Sequence, residues 1–375
     1  MLTTTITTNH LARRAIKAQF GPLGEEAAKL GLRHLLEVEV INNAHQLPHM
    51  HLDRTNLLNL NVQGKNDTRA QVKEVISTTR YGREENDVPS IDALRLTNVR
   101  TETPSGLDIL QELDGVQPRL LEISCGWDEF CSLDEFSTLR TPFPLETLIL
   151  SGACRPDIGL KSTQLAHITS LRLHLCCSIY LPRFPPPLKL RRLVVEENDI
   201  MDTICRLAED THMLEELEEL VLIGTNGCDL MTCYELEQFL SSIQKMPRLR
   251  VLQISERLPI RDYGPITMNA LPQFLPQALE CFRFWSTPGA VTDHDPWTQR
   301  IRDRSWLPNL KEFIFSMDMK TDEVASKDAR PPWERSEVQQ YTGEKTTASD
   351  IVSFEIGKAM TEFRPGVKIA VITHG

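Results

Sequence analysis

Residues 217–222 read Leu217-Glu218-Glu219-Leu220-Val221-Leu222: an apolar residue, two others, an apolar residue, one other, and a third apolar residue. The phrase returns as Ile91-Leu94-Leu96, Leu145-Leu148-Leu150, Ile168-Leu171-Leu173, Leu190-Leu193-Val195, Leu249-Leu252-Ile254, Leu279-Phe282-Phe284 and Leu310-Phe313-Phe315. Copies start near positions 91, 118, 145, 168, 190, 217, 249, 279 and 310, at intervals of 22 to 32 residues. Two weaker copies precede them at Leu35-Val38-Val40 and Leu58-Leu60, and Val367 to Ile372 reads as a closing strand. The last two apolar residues of each phrase are two apart, so an extended chain turns both to one face and the residue between them to the other. The pattern predicts short parallel strands stacked repeat on repeat, with the rest of each repeat returning outside the sheet.

Such an array is an α/β leucine-rich-repeat solenoid, with a curved parallel sheet on its concave side and helices and loops on its convex side. Residues 1–31 form an N-terminal segment, a helical cap or remnant, and residues 32–317 the solenoid, with an insertion at about 64–90. Residues 318–349 are a polar loop or disordered insertion, and 350–375 a C-terminal helix and closing strand. Among the returns, Asp202 to Leu217 reads as an amphipathic helix with Ile204, Leu207, Met213, Leu214 and Leu217 placed to bury. Thr232 and Glu235 make a capping box ahead of Leu236, Phe239, Leu240 and Ile243 at helical spacing. The run Leu181 to Leu188 holds Pro182, Pro185, Pro186 and Pro187 and is no helix interior.

A chain of 375 residues exceeds the usual size of one compact core, but a solenoid lengthens along one axis without thickening its interior. With 41% hydrophobic and 25% charged residues the composition is that of an ordered chain. The formal charge of −11 opposes a phosphate backbone and argues against nucleic acid as a partner. No apolar run reaches the roughly 18 to 20 residues that span a bilayer. Met1 to Gly24 carry Arg13, Arg14 and Lys17 without an acid, a composition shared with mitochondrial presequences, but contain no continuous apolar region of a secretory signal. The expected location is cytoplasmic or nuclear, with the nine cysteines reduced. No Cys-x-x-Cys pair occurs; Cys125 with Cys131 and Cys228 with Cys233 are spaced too widely for a zinc knuckle, and Cys176 and Cys281 read as small buried residues of the strands.

Ile168-x-x-Leu171-x-Leu173-x-x-Cys176 resembles the cysteine-containing class of leucine-rich repeat, and Leu190-x-x-Leu193-x-Val195-x-x-Asn198 the commoner asparagine form. The irregular mixture, with helical and proline-rich returns, resembles the repeat regions of fungal F-box and leucine-rich-repeat proteins over residues 32 to 318. The resemblance rests on the repeats alone, and an F-box is not evident ahead of them. It implies reception of a protein substrate for a cullin-based ubiquitin ligase, with the cullin adaptor a partner if an F-box exists upstream. The alternative is a repeat adaptor or regulator unrelated to ubiquitin, such as one that binds small GTPases.

Two clusters have metal-type or catalytic composition. In an extended chain His49, His51 and Asp53 share a face, with His45 nearby, but Pro48 favours a solvated loop. Asp293-His294-Asp295 pairs an imidazole with carboxylates, yet it lies between Pro288-Gly289 and Pro296, where a turn is the natural home. No nucleophile elbow, phosphate loop or dinucleotide fingerprint occurs, so the reading is of a non-enzymatic protein with no cofactor and no metal.

The residue between the two core positions of successive strands marks the concave face: Arg95, Glu122, Ile149, Arg172, Val194, Val221, Gln253, Arg283 and Ile314. Ile149, Val194 and Val221 there predict an apolar patch with arginine at its rim, which resembles a protein interface, and His174, Arg192 and Trp285 extend it. Another protein is the expected partner. The competing explanation is strand propensity alone, or a stripe covered by the terminal segments. Trp285, Trp297 and Trp306, with Phe282 and Phe284, read as local core; in the alternative, Trp285 turns to the concave side and lines a peptide pocket.

Overall fold

The computed structural model describes residues 22–23, 25–27, 29–30, 119–124, 145–152, 167–174, 190–197, 200–209, 213–224, 233–256, 267–319, 333 and 348–372, and the backbone of the strands at 35–37, 59–61 and 93–97. The insertion at 64–90, the proline run at 181–188, the stretch His45 to Asp53, Thr232, Cys176 and Asn198 lie outside the described residues. The chain separates into two compact units, Met1–Leu188 and Lys189–Gly375.

The first unit contains β1 (Leu35–Glu37), β2 (Asn59–Asn61), β3 (Ala93–Thr97), β4 (Leu120–Ser124), β5 (Thr147–Ser151) and β6 (Ser170–His174). Its strands lie in the order β1-β3-β4-β5-β6, with β2 also on β3, and each pairing is parallel. Strands β2 to β6 each fall on one phrase of the sequence, whereas β1 holds only Leu35 of the phrase Leu35-Val38-Val40 and aligns Leu36, not Val38, with Leu94. Leu148 and Leu150 of β5 stand beside Leu171 and Leu173 of β6, and all four are buried. The whole of β5 is buried, as a parallel sheet covered on both faces requires.

In the second unit strands and returns alternate: β7 (Arg192–Glu197), α1 (Ile200–Glu209), β8 (Glu219–Gly224), α2 (Cys233–Gln244), β9 (Val251–Glu256), a 3-10 turn (Leu271–Gln273), β10 (Cys281–Ser286), α3 (Asp295–Arg302), β11 (Glu312–Ser316), α4 (Ala348–Phe363) and β12 (Lys368–Ile372). Sequence neighbours among the strands are spatial neighbours, all parallel, and β12 is the closing strand expected from Val367 to Ile372. Helix α1 buries Ile200, Thr203, Ile204, Leu207 and Ala208 along one stripe and keeps the Asp202–Arg206 pair outside. It ends at Glu209, short of the expected Leu217. Met213, Leu214 and Leu217 are buried as expected, but from a turn and from the entry to β8. The described part of the return from β9 to β10 holds the 3-10 turn, with Pro272 among its first two positions.

Leucine, isoleucine and valine fill the core along β7 to β9, and aromatic residues fill it between β10, β11 and α3. Phe282 of β10 is paired in register with Phe313 of β11, and Phe284 with Phe315, at ring separations of 5.4 and 5.1 Å. Trp297 of α3 drops onto this layer, 5.8 Å from Phe282 and 5.4 Å from Phe315. Trp306 is also buried, its indole N–H donating to the Pro272 carbonyl at 2.9 Å. Arg364, just past α4, donates to the carbonyl of Ile301, which the end of α3 leaves without a helical partner, and to those of Asp303 and Trp306 beyond the helix. Gly357 lets α4 approach β12: a Cβ there would lie 3.1 Å from Val371.

One backbone device recurs in both units. The carbonyl just before a strand accepts two N–H groups from the next repeat: Arg119 from Glu146 and Thr147, Arg191 from Glu218 and Glu219, Arg250 from Glu280 and Cys281. Side chains at the same position alternate in sign and pair across repeats, as Arg119 with Glu146 at 2.8 Å, and Glu280 with Arg250 at 2.7 Å and Lys311 at 2.6 Å. Among the described residues no helix is long and apolar enough to cross a membrane.

Truncating Trp297 to Ala is expected to cost about 3–5 kcal/mol of stability, read as a lower urea midpoint, because the aromatic layer cannot close over the lost ring. The Glu280 carboxyl is held down to about 2, first by the hydrogen bond from Arg250 and then by that from Lys311. Its folded pKa lies below the ordinary 4.5, so its contribution to stability is present above that value and is lost as pH falls toward 2. A carboxyl NMR titration is expected to place the midpoint near 2, and Arg250→Ala to move it toward 4.5.

Candidate functional site

The residues expected on the face opposite the core form continuous rows in each unit. In the first, Arg95, Glu122, Ile149 and Arg172 pair in register across β3 to β6. His174 follows Arg172 at the next position on the same side, opposite Ser151. In the second, Val194, Val221, Gln253, Arg283, Ile314 and Ala370 form one row, and Arg192, Glu219, Val251, Cys281, Glu312 and Lys368 the row before it.

The exposure expected of this face is largely not observed. Ile149 is 0% exposed, Val194 2%, Val221 8% and Arg172 4%, so the expected apolar patch is closed. In the first unit the described part of the cover is the helical segment at 22–29. Its Glu25 and Glu26 carboxylates both pair with Arg172, Glu26 at 3.5 Å, while Leu23 and Ala27 are buried beside them. Lys29 sits 3.4 Å from Glu26. An arginine so deeply buried is retained because two carboxylates neutralise it; without them the desolvation cost would stand alone. Glu122, also buried, accepts the Ser151 hydroxyl at 3.1 Å.

The face of the second unit is more open. Gln253, Arg283, Arg192 and Glu219 are half-buried, and Lys368 is exposed. Arg192 pairs with Glu219 at 3.1 Å, and Glu312 holds Arg283 at 2.7 Å and Lys368 at 2.9 Å. Burial pushes the Cys281 thiol up to about 11, so it stays protonated and donates to Glu312 at 3.4 Å.

Trp285 lies on this same face, two residues beyond Arg283 and away from the aromatic core of Phe282, Phe284 and Trp297, but against expectation it is buried, with 7% of its surface exposed. Its indole N–H donates to Asp318 at 2.7 Å, and the same carboxylate oxygen accepts the Ser316 hydroxyl at 2.5 Å. Trp333 stands edge-on to Trp285, with ring centres 6.5 Å apart at 86°, and the Arg283 guanidinium lies 6.0 Å from the Trp333 ring. Reading the strands finds Arg283 and Trp285 but misses Trp333 and Asp318, which lie outside the phrases. The available signal is a single tryptophan behind Pro331-Pro332 in a stretch of almost no aliphatic content.

The ligand atoms of Asp293, His294 and Asp295 come within 4.8 Å of one another. Their arrangement is that of the turn entering α3: Asp293 accepts the Asp295 N–H at 2.9 Å, and His294 Nδ1 lies 3.2 Å from the Asp295 carboxylate. Both aspartates are exposed, so the charges are solvated and the geometry belongs to a helix start.

Arg172→Glu would place a third carboxylate against Glu25 and Glu26 in a buried site. It is expected to destabilise the chain by about 3–5 kcal/mol, measured by urea denaturation, with Glu25→Gln in the same background recovering part of the loss. No protein-family model matches the sequence, and no curated protein matches it.

Proposed function

We propose that the chain is a leucine-rich-repeat solenoid acting as a non-enzymatic scaffold, and that it binds another protein on the sheet face of the unit Lys189–Gly375. The observation that carries this reading is Arg283, half-buried on that face and held by Glu312, with the more deeply buried Trp285 beside it and held by Asp318. Arginine and tryptophan held in defined positions are the side chains that most often dominate the energy of protein interfaces. Half-buried Gln253 is the register neighbour of Arg283, and the half-buried Arg192 and Glu219 continue the polar character of the face on β7 and β8. Strands β3 to β11, which fall on the nine clear repeat phrases, with returns of varied length, support the solenoid. The resemblance to fungal F-box and leucine-rich-repeat proteins makes substrate reception for a ubiquitin ligase, in the cytoplasm or nucleus, the specific setting.

Affinity purification of the full chain from its native cells, with mass spectrometry, tests this reading against an Arg283→Glu variant of unchanged melting temperature. The expected outcome is a partner whose recovery falls about tenfold or more in the variant, the loss of a strong interface anchor. A cullin adaptor among the partners retained by both forms would mark a ligase receptor. A variant-sensitive partner without any adaptor would mark a repeat adaptor of another pathway. Equal recovery of every partner by both forms would overturn the assignment to this face.

A further inference from the structure

Trp333 is 48 residues from Trp285 in sequence, yet it rests on the two side chains that carry the proposed interface. The walls of this contact are also held by groups other than Trp333. Glu312 holds Arg283 at 2.7 Å, and Asp318, itself bonded to Ser316, holds the Trp285 indole at 2.7 Å. A site whose walls are fixed by other groups persists when its occupant leaves, and a new occupant meets little ordering cost. The occupant's own contacts are an edge-on aromatic pair and a cation over a ring, each weak enough to be exchanged.

The sequence around Trp333 differs from that of a core element. From Asp318 to Asp350 the chain is polar, with Pro331 and Pro332 directly before the tryptophan. The stretch is tied down at both ends, by Asp318 on Trp285 and by Ser349, whose hydroxyl accepts the Gly289 N–H at 2.9 Å. A tethered side chain reaches its site at a high effective concentration without needing strong contacts. The two prolines limit the conformations that binding must remove.

Resting on the reading of this face as the interface, we propose that Arg283 and Trp285 form a recognition site for a tryptophan carried behind prolines on a partner protein. Trp333 is the chain's own occupant of that site. A partner segment of the same chemistry competes with it, so the resident tryptophan sets the threshold for binding.

The probe is a fluorescein-labelled peptide of residues 328–338, Asp-Ala-Arg-Pro-Pro-Trp-Glu-Arg-Ser-Glu-Val, added to the full chain and followed by anisotropy. Wild type, Trp333→Ala, Trp333→Phe and the double variant Trp333→Ala, Arg283→Ala are compared, each with a thermal melt. Trp333→Ala is expected to bind the peptide about tenfold more tightly than wild type, because the tethered competitor is gone. Trp333→Phe, which keeps a ring in the site, is expected to fall between them and serves as the folded comparison if the Ala variant is unstable. Arg283→Ala in the double variant is expected to weaken binding about tenfold, and a peptide with Ala for Trp to show none. Absence of saturable binding by the folded Trp333 variants, or equal binding by wild type and both single variants, would overturn the proposal. Because the probe is a synthetic peptide, the result is independent of whether purification from cells finds a partner.

Discussion

A strand of five or six residues cannot satisfy its own N–H and C=O groups, and within each unit the strands, apart from β1 on β3, find their partners one repeat away in the chain. Ahead of β4, β5, β7, β8, β9 and β10 the carbonyl fixes that pairing by receiving two N–H groups from the following repeat, so register is set before the strand begins. Everything else in each unit follows from that register. Phe282 meets Phe313 and Phe284 meets Phe315 because their strands are aligned, and only an aligned aromatic layer offers Trp297 a surface to pack on. The charges that alternate along the strand entries lie beside one another for the same reason, as Arg250, Glu280 and Lys311 do.

The parallel sheet was legible in the sequence because its cause is local. Two apolar residues two apart state which face is core, and their recurrence states that each repeat needs a neighbour. The same rule identified the rows Glu122-Ile149-Arg172 and Val194-Val221-Gln253-Arg283 residue by residue. Helix α1 was legible in its buried stripe but not in its length. Leu214 and Leu217 continue the helical spacing by coincidence, since they serve the entry to the next strand.

What covers the rows was not legible, because it is set by contacts between segments far apart in the chain. Glu25 reaches Arg172 across 147 residues, and no local period links a short acidic helix to an arginine in a later strand. Alternation gave Trp285 its face, while Trp333 belongs to a segment with no period at all. The expected apolar patch therefore had the right position and the wrong exposure: Ile149, Val194 and Val221 favour the strand and are buried on its second face as well.

The returns of the second unit take different forms, three-turn helices in places and a proline-led 3-10 turn between β9 and β10, while strand register is kept throughout. This separates two kinds of inherited change. Residues gained or lost in a return leave every row of the face intact, and a whole repeat gained or lost shifts the rows by one complete strand. A single residue inserted within β9 would turn each later side chain of that strand to the opposite face. The register of the remaining strands thus survives a change in the length of a return or in the number of repeats, while the strands themselves tolerate exchange of residues but not slippage.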